Sequence, residues 1–195
     1  MILPLLERAA RRAALADAVH KTDETTTVTF VDGCPVGART TLYQGVNLRV
    51  VSEGRAGTAG SVVEDPDDLL DRALASAALG EPTSLSLPRQ AALPSVVTHV
   101  PRAAAATLAE LADLGHLVRD RLGSERVNLG LTIERSLGQV RVANTAGLDA
   151  EYDVSLVVFA VQAARQQEGR RLVVEAALAG ADLPSLTDLE LLVAM

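Results

Sequence analysis

The chain has little with which to carry out the commoner chemistries. Its 195 residues include one cysteine, Cys34, no tryptophan, two tyrosines and two phenylalanines. A single thiol excludes an internal disulfide and suits a reducing compartment. Aromatics make up only 2% against an apolar share of 48%, so the core must be Ala, Val and Leu. Lys21 is the sole lysine, and this arginine bias, with the many alanines, reflects a GC-rich genome better than a function. The net charge is −7 and no basic stripe is present, which argues against a nucleic-acid-coating surface. The most apolar stretch, Val154 to Val161 with Ser155 inside it, is far short of the ~20 residues needed to span a bilayer. Glu7, Arg8, Arg11 and Arg12 break any signal-peptide core near the start. The expectation is a soluble cytoplasmic protein that contacts neither nucleic acid nor membrane.

What is present is organised around residues 32–60. Val46, Leu48 and Val50 alternate with Asn47 and Arg49, the period-2 pattern of a strand buried on one side. Asp32-Gly33 and Glu53-Gly54 stand where two-residue hairpins need residues that tolerate positive φ. The stretch therefore reads as a β-meander: Thr25 to Val31, Val36 to Thr41, a strand from Gly45, and Arg55 to Val63.

Around it, Pro4 opens a predicted helix over Leu5 to Ala16, with Arg8, Arg11 and Arg12 on a solvated flank. Asp65-Pro66-Asp67-Asp68 is a helix start, with a cap, a proline at N1 and two acids at the positive dipole end. Leu70, Ala73, Leu74 and Ala77 follow at helical spacing, and Gly80 suits the C′ position. Pro82, Pro88, Pro94 and Pro101 mark 81–101 as an extended linker. A second helix is expected over Ala103 to Leu122. After Gly123, Val127, Leu129, Leu131 and Ile133 alternate, and Leu137-Gly138 turns into Val140 to Ala143. Asn144-Thr145-Ala146-Gly147 makes a polar turn, Tyr152 to Ala163 a long strand, and Leu186 to Ala194 a short helix. The fold class expected is α+β: mostly antiparallel β-meanders packed with two main helices. One lobe spans 1–80, the linker 81–101 and a second lobe 102–195.

No catalytic or metal constellation emerges. His20, His99 and His116 belong to no His-Glu-x-x-His or Cys-x-x-Cys pattern, and His116 reads as an ordinary helix-surface histidine. Cys34, in a turn between Gly33 and Pro35, has no visible base and reads as structural. Gly54, Gly57 and Gly60 lack the lysine and following helix of a phosphate loop. They read as turn and close-packing glycines. Asn144 reads as a turn-former bonded to its own backbone.

The order of these motifs resembles the N-terminal domain of the TldD/PmbA family, also called modulators of DNA gyrase. Gly45-Val46-Asn47-Leu48-Arg49-Val50 is similar to its Gly-x-x-x-Arg-Val strand, and Glu53-Gly54-Arg55-Ala56-Gly57-Thr58-Ala59 to its Gly-Arg-x-Gly-x-Ala hairpin. Ala16-Asp17-Ala18, the strand ending in Asp32-Gly33, the Asp65-Pro66 helix and Asn144 to Gly147 follow in the family's order. The resemblance implies a family about twice this length, whose TldD-type members carry a His-Glu-x-x-x-His zinc site in the other half. PmbA-type members lack it and act as partners. No His-Glu pair occurs here, so no catalytic residue carries over and zinc is implied only for a partner or a missing half. The pattern running out at Met195 suits a cut chain or a lost second half. The resemblance further implies a homo- or hetero-oligomer with a TldD/PmbA-type protein, and contact with a peptide. Arg49, Asn47 and Asn144 are the candidate contact residues, with Asp32, Gly33, Gly45, Gly54, Gly57 and Gly147 as turn or motif positions. For Arg49 two roles stay open: facing a peptide or partner carboxylate, or a cross-strand ion pair.

Overall fold

The computed structural model describes residues 2–62, 65–90, 95–122, 127–167 and 170–194. The elements in chain order are α1 (Ile2–Ala9), β1 (Leu15–Val31), β2 (Cys34–Ser52), β3 (Arg55–Ser61), α2 (Pro66–Leu79), α3 (Pro101–Ala105), α4 (Leu108–Leu122), β4 (Asn128–Asn144), β5 (Asp149–Gln167), β6 (Arg170–Gly180) and α5 (Leu186–Ala194). The strands run in the order β3-β2-β1-β4-β5-β6, and the class is α+β with antiparallel meanders, as expected. Val63, Pro94, Gly123, Met195 and the side chain of Leu122 lie outside the described residues.

Two compact units are formed, each from three stretches of chain. One takes Met1–Asp23, Tyr43–Val96 and Gly138–Asp153; the other takes Glu24–Leu42, Val97–Leu137 and Val154–Met195. This division differs from lobes at 1–80 and 102–195, because β1, β2, β4 and β5 each contribute residues to both units. Residues 81–90 are tied to the first unit: Thr83 N–H donates to Gly54 O at 2.8 Å. Val100 N–H donates to Ser155 Oγ at 2.9 Å in the second.

The first unit packs α1 and α2 on one face of the strands. Ala16, Ala18, Val46, Leu48 and Val50 alternate inward to meet Ile2, Leu5, Leu6, Leu69, Leu70, Ala73 and Ala77. Each fully buried Leu or Ile contributes about 1.5–3 kcal/mol of transfer free energy. Asp65 caps α2 through its side chain, which accepts from Asp67 N and Asp68 N. Gly80 departs from the C′ expectation, since its φ is −74°. Glycine is needed there for a close approach, because a Cβ would stand 2.0 Å from Ala56 O. The arginines near α1 are not simply solvated. Arg8 pairs with Asp67, and Arg12 with Asp71 at 2.6 Å, bracing α1 against α2.

The second unit buries Phe30, Val28, Leu129, Leu131, Ile133, Val157, Phe159 and Val161 under α4, α3 and α5. Gly115 lets α4 come down on Phe30, where a Cβ would lie 2.2 Å from the ring. His116 is correspondingly half-buried, its ring edge-on to Phe30 at 5.5 Å, rather than on an open helix surface.

Several element bounds differ from expectation for identifiable reasons. The first helix ends at Ala9 and strand β1 opens at Leu15, since Ala16 and Ala18 alternate into the core. The helix expected over 103–122 is interrupted before Leu108. Thr107 and Glu110 form a capping box there, Thr107 Oγ1 accepting from Glu110 N at 3.2 Å and Glu110 Oε2 accepting from Thr107 N at 2.7 Å. Leu137-Gly138 is no turn but part of β4, and Gly138 admits the carbonyl of Thr22, 2.3 Å from where a Cβ would stand. Val36 to Thr41 and the Gly45 strand are one strand, β2. Strand β6, absent from the sequence reading, pairs antiparallel with β5 from Val157↔Gly180 to Gln167↔Arg170.

Candidate functional site

The candidate contact residues all lie in the first unit, Asn47 and Arg49 on the strand face away from the helices. Alternation along β2 sends Leu48 and Val50 inward and Asn47 and Arg49 to that face. Opposite them in the β2–β3 ladder stand Gly60 and Thr58. Asn47 is exposed, and Gly60 makes room for it, since a Cβ at 60 would lie 2.6 Å from Asn47 Oδ1.

Arg49 has an internal partner. Its Nε donates to Asp17 Oδ1 at 2.8 Å and its Nη2 to Asp17 Oδ2 at 2.9 Å, a bidentate fork. The hydrogen bond to Asp17 raises the Arg49 pKa further above its ordinary value, outweighing desolvation. Of the two roles left open by the sequence, the structure supplies the cross-strand ion pair. Asp17 was visible in the sequence only as a motif letter; its signal was a carboxylate between two inward alanines.

One residue before Asp17, Ala16 joins this pair to the Asn144 turn. Thr145 N–H donates to Ala16 O at 2.8 Å, and Ala16 N–H donates to Thr145 Oγ1 at 3.0 Å. Asn144 is buried and fully engaged. Its Oδ1 accepts from Ala146 N at 2.8 Å and Leu148 N at 3.1 Å, and its Nδ2 donates to Pro88 O at 2.8 Å. The turn-forming role is thus present, and the last of these bonds also anchors the proline-bearing segment. Gly147 completes the turn at φ +98°. Beside it, Arg141 forks onto Asp149 at 2.9 and 2.8 Å, which lowers the Asp149 carboxyl below its ordinary range.

The motif turns are placed as their residue types require. Asp32 and Gly33 have φ of 48° and 77°, and Glu53 and Gly54 have 50° and 73°, both positive as in type I′ hairpins. Gly57 faces α2, where a Cβ would stand 2.1 Å from Ala77 N. Gly45 lies under Tyr43, whose hydroxyl is 2.4 Å from a Cβ position. These are folding devices rather than ligand contacts.

Among the described residues no three of His, Cys, Asp and Glu lie close enough to hold a metal ion. His20 Nε2 and His116 Nδ1 are buried without a hydrogen-bond partner, on different elements. Cys34, read as structural, is a free and exposed thiol at the start of β2. Among the described residues no helix is long and apolar enough to cross a membrane.

The architecture is shared with solved structures. TldE from Thermococcus kodakarensis superposes with a TM-score of 0.77 at 16% identity, over 99% of this chain and 45% of that one. The fold is that of a TldE half. Two proteins described as modulators of DNA gyrase agree. The one from Thermotoga maritima has a TM-score of 0.77 at 14% identity, covering 99% of this chain and 46% of that one. The one from Bacteroides thetaiotaomicron has 0.80 at 11%, covering 98% and 47%. This chain therefore spans less than half the length of the TldE-like structures it matches. No family model and no curated protein matches it in sequence.

Proposed function

We propose that this chain is a non-catalytic TldD/PmbA-like domain that assists a zinc metallopeptidase, by assembling with a catalytic partner or by holding its peptide. The observation that carries this reading is the superposition of 98–99% of the chain on less than half of TldE and the gyrase-modulator proteins. The zinc belongs to the partner: the described residues here offer no metal-ligand cluster, and no step is assigned to them. In this reading the chain works in the cytoplasm as part of a homo- or hetero-oligomer. Arg49 contributes through Asp17 to the firmness of the open face, and its exposed guanidinium remains within reach of a partner carboxylate. Asn47, exposed on the same face, is the contact residue with the fewest internal obligations.

The test is a tagged pull-down from lysate of the source organism, identified by mass spectrometry and repeated with the purified pair. Recovery of a protein bearing His-Glu-x-x-x-His, with direct binding in the purified pair, supports the reading. Zinc retained by this chain together with peptide cleavage by it alone would overturn it, as would failure of the purified pair to bind. Capture of peptides alone would favour a stand-alone peptide- or protein-binding module, the alternative the same fold allows.

A further inference from the structure

Strand β6 ends the strand order, paired on one side with β5 and on the other with no strand among the described residues. Its N-terminal half carries an open apolar run. Leu172, Val173 and Val174 are 63%, 41% and 45% exposed, three consecutive apolar residues on an unpaired edge. Natural edges are usually blunted with charge, proline or a bulge, because a flat apolar edge templates pairing with another chain. Here the charges have a pattern of their own. Arg171 and Glu175 flank Val173 at equal distance and, by the period of a strand, lie on the same face. Both are exposed.

We infer that β6 is a self-pairing edge: two copies of this chain associate by antiparallel β6–β6 pairing about a twofold axis at Val173. In that register Arg171 of each copy stands directly opposite Glu175 of the other, giving two opposite-charge pairs. Leu172 stands opposite Val174 twice, and Val173 meets its own copy. A twofold contact requires such self-complementarity, each residue contacting the residue that contacts it. A slip by one residue sets Arg171 against Val174 and turns the second copy's faces over. Glu175 already accepts from Gln162 Nε2 at 2.6 Å, which orients the carboxylate from the β5 side. The occupant is thus chosen by charge and register together: the edge fits a second copy of itself. The inference stands apart from the peptidase reading, since it uses only β5 and β6.

The test is sedimentation equilibrium of the whole chain and of two exposed-site variants, Arg171→Glu and Glu175→Arg, with far-UV circular dichroism to confirm that each folds. The wild-type chain is expected to dimerise in a concentration-dependent way. Each variant replaces two attractive cross-strand pairs with two repulsive ones and is expected to weaken the dimer about 30-fold. An equimolar mixture of the two variants restores attraction at both positions and should recover dimer at concentrations where neither variant dimerises alone. A monomeric wild-type chain would overturn the inference. So would a dimer indifferent to both substitutions, which would place the contact on another face, or a mixture that does not recover.

Discussion

Replacing Gly57 by alanine adds one methyl group, yet the geometry predicts a large loss of stability. Gly57 sits on β3 opposite Val50, under helix α2. A Cβ there would stand 2.1 Å from Ala77 N, 2.3 Å from Ala73 O and 2.6 Å from Ala77 Cα. All three are helix backbone atoms, so no side-chain rotation relieves the clash. Restoring the 3.4 Å of ordinary contact requires α2 to retreat by about 1.3 Å. Leu69, Leu70, Ala73 and Ala77 would be drawn off the core of the first unit with it. A gap of 0.5–1 Å already forfeits a quarter to a half of a dispersion contact, so the upper end of the overpacking range applies, about 3 kcal/mol. That is a large share of a total of about 5–15 kcal/mol. Urea unfolding, with amide exchange along α2 to localise the effect, measures it. Gly60→Ala is the control, since the one close approach of its Cβ is to the flexible end of Asn47, at 2.6 Å, with Val46 O at an ordinary 3.8 Å, and it should cost under about 1 kcal/mol. A Gly57→Ala loss below about 0.5 kcal/mol, or equal losses at 57 and 60, would refute the reasoning.

Three further outcomes are expected. Asn144→Ala leaves Ala146 N, Leu148 N and Pro88 O without their partner, and should cost about 2–3 kcal/mol with faster proteolysis near Pro88. Arg49→Ala and Asp17→Ala should each cost no more than about 1 kcal/mol, because Arg49 is 43% exposed. The double variant should be no worse than either single one in a double-mutant cycle; full additivity would deny the fork. Glu110 has its pKa lowered from 4.5 by the backbone and side-chain hydrogen bonds of Thr107. A depressed carboxylate contributes stability above its unfolded pKa and loses it as pH falls through the folded one. Stability should therefore drop as pH falls below 4.5, and Glu110→Gln should flatten that part of the acid limb in a pH series of unfolding curves.

The sequence was most legible where one residue type has one physical use. Positive φ at Asp32-Gly33 and Glu53-Gly54, and the Asp65-Pro66 cap, follow from local sterics and hydrogen bonding alone. Legibility failed where tertiary contact reassigns a residue. Alanine favours helices in isolation, so the first helix read on to Ala16, while in the fold β1 opens at Leu15 and Ala16 and Ala18 line the core. Gly138 read as a turn because nothing in its own segment announces that the Thr22 carbonyl passes beside it. The Thr107–Glu110 capping box was present in the letters and marks the helix break; the long apolar spacing around it concealed it.

The same distinction bears on Arg49 and Asn144, for which the sequence left structural roles open beside the contact roles, and the fold supplies the structural ones. Arg49 stands out in sequence as the charge on the polar phase of an apolar alternation, and Asn144 as the first residue of a polar turn. A polar group in such a position must find a partner or remain wet, and the nearest partners are supplied by the fold itself: Asp17 for Arg49, and Pro88, Ala146 and Leu148 for Asn144. A polar residue beside buried strands therefore signals a hydrogen-bonded network first and a ligand contact only when a donor is left over. Strand β6 presents the opposite case. Its Leu172 to Val174 run breaks no pattern and carries no motif, yet it is exposed on a strand that has a neighbour on one side only among the described residues. The proposed β6–β6 pairing supplies that neighbour from a second copy, and the Arg171 and Glu175 variants decide whether it does.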